Sequence, residues 1–301
     1  MIELKNEKIA IPVVLFAGLM WSFGPLVVRN MDDPHLFTWQ YIFGRGLTIF
    51  IIINIYLFFE EGPKFYKNYF NIGLSGIIGG SGLGLAMITF IYSITNTTAA
   101  VTLLCLAAMP FFTALLGFLF LKEKISLNVW IAIIMATAGL IIIASGNTEQ
   151  NSIIGLVFGI ISSIGFSIFS VSLRWRKETP KFTTVSYAGF FCVIISSIFI
   201  LSKELNFLSS SYNSGMFSLH GVLVCMGLIL YSIGSKVIPA AELTLLSLTE
   251  VIGGIFWIWL PLFGINEIPT NNTIIGGFFL FMSIIYYSLT IKTNRRFIAL
   301  N

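Results

Sequence analysis

The sequence predicts an all-α integral membrane protein: ten transmembrane helices arranged as two inverted five-helix repeats, with both termini cytoplasmic. Three observations carry this prediction. The 301-residue chain is 56% hydrophobic and 10% charged, with a mean hydropathy of +0.93. Soluble domains carry about 25% charged residues, so this chain has too little charge to cover itself in water. Its apolar runs approach the ~20 residues that cross a hydrocarbon core. The lysines and arginines between those runs alternate from one side to the other.

The runs fall near 9–28, 36–59, 70–92, 97–121, 126–145, 152–173, 183–202, 215–235, 240–263 and 273–291. Residues 1–8 lead into a run too long for a signal-peptide core, with no small-x-small cleavage site behind it, so it reads as a retained first span. With the N-terminus inside, fourteen basic residues face inward: Lys5, Lys8, Lys64, Lys67, Lys122, Lys124, Arg174, Arg176, Lys177, Lys181, Lys236, Lys292, Arg295 and Arg296. Only Arg29 and Lys203 face outward, and Arg45, inside a span, completes the 17. A missed helix would scramble this bias. The net charge of +4 therefore reflects loop placement and implies no nucleic acid.

Taken in order, the spans carry distinct marks. Span 1 places Gly18, Ser22, Pro25 and Arg29 on one stripe; span 2 places Thr38, Tyr41, Arg45 and Thr48 on another. Span 3 is rich in small residues four apart, including Gly76, Gly80 and Gly84, which let helix backbones approach closely. A sliding surface is the second reading of that seam. Pro25 and Pro110 lie mid-span and are expected to kink their helices, for a gate or for curved packing. Span 6 repeats the spacing of span 1 in Ser163, Ser167, Ser170 and Arg174, and span 9 carries Ser247, Glu250, Gly254 and Trp257 on one stripe.

The chain divides near 146–151 into repeats at 9–145 and 152–291. Thr38-Trp39-Gln40-Tyr41 parallels Thr184-Val185-Ser186-Tyr187, and Ala99-Ala100 parallels Ala240-Ala241. An odd number of spans per copy inverts the second copy, the arrangement from which many secondary transporters build alternating access around a midplane site.

Trp21-Ser22-Phe23-Gly24-Pro25 with Arg45 resembles the first two helices of EamA-type members of the drug/metabolite transporter superfamily. Pro110 through Leu116, followed by Leu121-Lys122-Glu123-Lys124-Ile125-Ser126, is similar to that family's fourth helix and the glutamate turn after it. Ala240-Ala241-Glu242, Leu248-Thr249-Glu250-Val251 and Asn266-Glu267-Ile268-Pro269 resemble the matching stretch of the second half. The family usually has Pro where Val251 stands. The resemblance spans nearly the whole chain. It implies ten helices, two EamA-like repeats and movement of small metabolites, often outward, in the bacterial cytoplasmic membrane.

Charge inside a span costs about 2.5–3.5 kcal/mol on the lenient insertion scale, so Arg45, Glu242 and Glu250 invite a role. Aligning the repeats puts Phe191 opposite Arg45 and Met109 opposite Glu250, so each half supplies one central charge and the signs are opposite. Arg45 and Glu250 are expected to border a cavity between the halves, with Trp21, Tyr41 and Trp257 as further substrate-binding candidates. There they would hold a polar or zwitterionic solute, or Glu250 would carry a coupling proton; a structural Arg–Glu pair is the competing reading. Pro25, Pro110, Gly80, Gly84 and Glu242 are candidates for gating or packing. Glu242, just inside span 9, reads first as an interfacial residue favoured by the helix macrodipole, and Glu123 and Glu267 as loop or capping residues. Trp39, Trp130 and Trp175 read as membrane-interface residues, and His35 and His220 as ordinary surface histidines.

Cys105, Cys192 and Cys225 are isolated in apolar runs, so no metal, disulfide framework or cofactor is expected. With no Walker motif, ATP does not drive the chain directly. The leading expectation is a secondary transporter, as monomer or homodimer in the bilayer, exporting a small metabolite such as an amino acid, with or without a coupling ion. Uptake of a similar solute fits the residues equally. A lipid-modifying enzyme would need clustered His, Asp or Arg at one depth, and the spans contain no Asp.

Overall fold

The computed structural model describes residues 7–123, 125–145, 153–176, 178–260, 265 and 271–298, which form helices joined by short connections. Among the described residues eight helices are long and apolar enough to cross a membrane: Ile9–Arg29, Thr38–Glu61, Gly73–Asn96, Ala99–Leu121, Ile153–Trp175, Lys181–Ser202, Ser211–Gly234 and Ala240–Trp259. Two further helices, Leu127–Ser145 and Asn271–Ile298, carry the shorter apolar stretches Leu127–Gly139 and Ile274–Tyr287. In chain order these ten are called spans 1 to 10 below, the two shorter ones being spans 5 and 10. The repeat boundary at 146–151, Lys124 and the turn at 266–269 lie outside the described residues.

Helix is the form in which an isolated apolar run satisfies its own N–H and C=O groups, since lipid offers them no partner. The outer surface is accordingly apolar, with Phe16, Ile55, Phe118, Ile198 and Phe278 exposed. Hydroxyls turn inward: Ser163, Ser167, Ser170 and Ser196 are fully buried. Each returns its proton to a backbone carbonyl or a neighbouring hydroxyl. Ends are marked locally. Thr98 caps span 4 by accepting from Val101 N at 3.3 Å. Gly62, at φ 72°, closes span 2, and Lys122, at φ 56°, closes span 4.

Among the described residues three spans are broken. Span 1 comprises Glu7–Ser22 and Gly24–Arg29, span 4 comprises Ala99–Leu106 and Met109–Leu116 with a π-helical turn Gly117–Leu121, and span 9 comprises Ala240–Leu246 and Thr249–Trp259. The sequence predicts kinks in continuous helices at Pro25 and Pro110. Instead each proline sits in the first turn of a fresh segment, where the missing N–H would have had no intrahelical acceptor.

The main packing joins the first half of the chain to the second. Span 3 lies on span 6, span 2 on span 7, span 1 on span 8 and span 5 on span 10; spans 3 and 7, 2 and 8, 1 and 9, 4 and 6, and 4 and 9 also meet. The glycines of span 3 make its contacts possible. A Cβ on Gly80 would overlap Tyr187, one on Gly84 would meet Phe191, and one on Gly79 would meet Ser172. Span 3 is thus wedged between spans 6 and 7. Trp39, expected at the interface, is buried and stacks on Phe199 at 4.0 Å.

Candidate functional site

The broken helices meet around a cavity in the centre of the bundle. It is lined by Trp21, Arg45, Met87, Phe90, Met109, Phe166, His220 and Glu250, with Ser162 and aliphatic neighbours. The space open to water centres is about 60 Å³, room for about four to six waters at roughly 10–15 Å³ each. That is the bulk of a small metabolite.

Arg45 comes from the middle of span 2 and is 3% exposed. One of its N–H groups donates to Met87 O on span 3 at 2.7 Å, and its guanidinium lies 5.7 Å from the centre of the Phe90 ring. This cation–π contact and the carbonyl hold the charge in a dry site. A guanidinium has five N–H donors, so most remain for the cavity. Glu250 stands in the first turn of the segment Thr249–Trp259, where the macrodipole favours a carboxylate. No described side chain or backbone group hydrogen-bonds its carboxylate, and no N–O contact within 4.0 Å joins it to Arg45. The sequence leaves a structural pair open; the two charges face one cavity without bonding to each other.

The span 9 break that presents Glu250 is built by span 1. Thr249 Oγ1 donates to Leu15 O at 3.2 Å. A Cβ on Gly18 would overlap Thr249 Oγ1 and lie 3.2 Å from Glu250 N. Only glycine lets the two backbones approach this closely. The span 4 break is held from span 6, where Ser163 Oγ donates to Cys105 O and Ser167 Oγ to Met109 O, the latter at 3.1 Å.

Trp21 lines the cavity as expected for a binding candidate, its Nε1 donating to Val224 O at 3.1 Å and its ring against Phe166 and Tyr231. Tyr41 and Trp257 are not part of the lining. Tyr41 is fully buried behind it, hydrogen-bonded to His220 Nδ1 and stacked on Phe217 at 4.9 Å. Trp257 donates to Ser22 Oγ at 2.8 Å and stacks on Phe23 at 4.7 Å, bracing the span 1 break. His220 corrects the surface reading: it is 2% exposed and lines the cavity. The rule that flags Arg45, a polar group inside an apolar run, flags His220 as well; depth counted along span 8 misleads, because Gly24 opens room for the imidazole. Glu242 lies at the start of span 9, where its carboxylate accepts from Tyr287 of span 10. Glu123 reaches beyond its own loop, pairing with Arg174 at 2.8 Å. Arg174 in turn donates to Ser235 O and Ile238 O.

Among the described residues no group of three or more His, Cys, Asp or Glu could hold a metal. The three cysteines are buried and unbridged.

Known proteins share this sequence and fold. Residues 8–145 match the model of the EamA-like transporter family. Two Helicobacter pylori proteins, from strains J99 and 26695 and each named only an uncharacterized transporter, are 25% identical to this chain over 203 residues. The alignment spans 66% of this chain and 66% of each relative, just under two thirds of their length. One solved crystal structure covers 96% of this chain and 99% of its own with a TM-score of 0.69; at 14% identity the likeness is one of fold alone. Over residues 8–145 the chain is thus similar to the EamA-like transporter family of the drug/metabolite transporter superfamily.

Proposed function

We propose that this chain is a secondary transporter in which ten membrane-crossing helices form two inverted repeats, 9–145 and 152–291, with both termini cytoplasmic. It exchanges a small polar or zwitterionic metabolite, such as an amino acid, around the central cavity. The observation that carries the reading is the placement of Arg45 and Glu250. They come from opposite halves, face one cavity and are not spent on each other. A zwitterion would pair its carboxylate with Arg45 and its ammonium with Glu250, with Trp21, Phe90 and Phe166 against its side chain.

The packing supports the repeats. Exchanging span n with span n+5 turns 3-on-6 into 8-on-1, 3-on-7 into 8-on-2 and 4-on-6 into 9-on-1, while 2-on-7, 5-on-10 and 4-on-9 map to themselves. The two equivalent spans 4 and 9 are both broken at cavity depth, the feature that marks binding sites in inverted-repeat transporters. Export is the direction that the family resemblance implies.

The test is counterflow in proteoliposomes with labelled amino acids, organic acids, nucleosides and quaternary amines. Saturable exchange of a zwitterionic class is expected, reduced at least roughly tenfold in folded Arg45→Gln and Glu250→Gln, since each loses a charge-assisted bond of about 1.5–3 kcal/mol. Exchange that both variants retain would remove these residues from the binding site.

A further inference from the structure

A second cavity, open to water centres over about 310 Å³, lies at the end of the bundle where span 7 begins. It is lined by Leu57 and Glu61 at the end of span 2, by Asn68, and by Glu178, Thr179, Pro180, Lys181, Phe182, Thr183 and Lys236. Nothing in the central site uses these residues.

Three observations mark it as a site for a phosphate-type oxyanion. First, Lys181 is the first residue of the helix Lys181–Ser202, the positive end of a macrodipole, where a cation is disfavoured and an anion favoured. Its Nζ donates to Ser235 Oγ at 3.0 Å, and among the described residues no carboxylate lies within 4.0 Å of it. An ammonium has three donors, so two are left for the cavity. Second, Thr183 is 1% exposed and its Oγ1 is buried without a hydrogen-bond partner, although it belongs to the lining. Buried polar groups without partners are rare and call for an explanation. Third, the helix opens on Pro180, which offers no side-chain cap, and its first backbone bond is Thr184 N to Pro180 O at 2.9 Å. The N–H groups of Lys181, Phe182 and Thr183 therefore have no intrahelical acceptor. Arg174, which is close enough to Lys181 to repel it, is already committed to Glu123 and two carbonyls.

The remaining lining narrows the ligand. Two acidic residues belong to the same lining: Glu61, which accepts from Asn68, and Glu178, which is exposed. Two ammonium groups and two carboxylates make a neutral lining, which gains little from a multiply charged anion and suits a zwitterion. Leu57 and Phe182 add an apolar wall where spans 2 and 7 leave the apolar layer. We propose that this pocket binds a phosphodiester carrying an ammonium group, of the phosphoethanolamine type. Its phosphate rests on Lys181, Thr183 and the helix start, and its ammonium faces Glu61 and Glu178.

Such a group is borne by a membrane lipid or by a water-soluble glycerol ester, and native mass spectrometry of the full chain in detergent separates the two. The protein is titrated with an ethanolamine phospholipid, a glycerol-headgroup phospholipid of the same chains, and glycerophosphoethanolamine. The ethanolamine phospholipid is expected to stay bound, at least roughly tenfold more tightly than the glycerol-headgroup lipid and roughly tenfold more weakly in Lys181→Gln, the scale of one charge-assisted hydrogen bond. Binding of glycerophosphoethanolamine as well assigns recognition to the headgroup alone; binding of the lipid only assigns part of it to the chains. Thr183→Val keeps the side-chain shape and is expected to weaken binding severalfold, which covers the case of a Lys181 variant that does not fold. Absence of any ethanolamine phosphodiester, or binding unchanged in the folded variants, overturns the site; equal binding of the two lipids overturns the zwitterion assignment.

Discussion

Spans 4 and 9 are both broken, and the two breaks are made differently. In span 4 Pro110 opens the second segment, and span 6 serines cover carbonyls beside the break. In span 9 Val251 stands where the family resemblance expects Pro, and the helix still stops at Leu246 and restarts at Thr249. There Thr249 reaches across to span 1, and Gly18 lets span 1 come close enough to receive it. One break is written into the covalent chain, because proline has no N–H to continue the helix. The other depends on a tertiary contact. The half whose break depends on the contact is also the half that presents a carboxylate, while span 4 presents Met109 to the same cavity. A charge at a helix start held by a neighbouring span is coupled to the position of that span.

Substitutions at four positions probe this difference between the halves. The largest effect is expected from Gly18→Val. Its branched side chain has nowhere to go between Thr249 and the backbone of the span 9 break, so destabilisation of up to about 3 kcal/mol is expected, in the upper range for overpacking. A melting curve in detergent checks it, and a wild-type midpoint would show that the break does not need close approach. Next is Glu250→Met, which gives span 9 the residue type that span 4 presents to the cavity. Counterflow exchange is expected to fall at least roughly tenfold, the scale of one lost charge-assisted bond, while Met109→Leu stays within about threefold, as a volume-conserving swap. Equal losses would erase the functional difference between the halves. The smallest effect is expected from Val251→Pro, which supplies the family's usual residue. It gives up the bond from Val251 N to Leu248 O at 3.0 Å, about 1 kcal/mol, in a first turn that tolerates proline. A midpoint within a few degrees of wild type supports a preformed break; unfolding would mean that span 9 is continuous in solution.

Much of this architecture is legible in the amino-acid sequence. Composition separates a membrane chain from a soluble one because lipid-facing helices cannot carry ordinary surface charge. The cost of burying charge singles out Arg45, Glu242 and Glu250, of which Arg45 and Glu250 line the central cavity. Pro25 and Pro110 mark two of the three breaks. The third is invisible locally, because nothing between Leu246 and Thr249 forbids a helix until Gly18 of span 1 is placed against it.

The class of the protein, the runs that become helices and the charges that need an interior all follow from one-dimensional facts: run length, period and the free energy of each side chain in lipid. The partners come from packing in three dimensions. It ties Arg45 to Met87 instead of Glu250, draws His220 into the cavity with Tyr41 behind it, turns Trp257 toward Ser22, and joins Glu123 to Arg174. Helical periodicity fixes which residues share a face, but which helix that face meets depends on packing between residues tens to hundreds of positions apart. In this bundle the principal contacts join one half of the chain to the other.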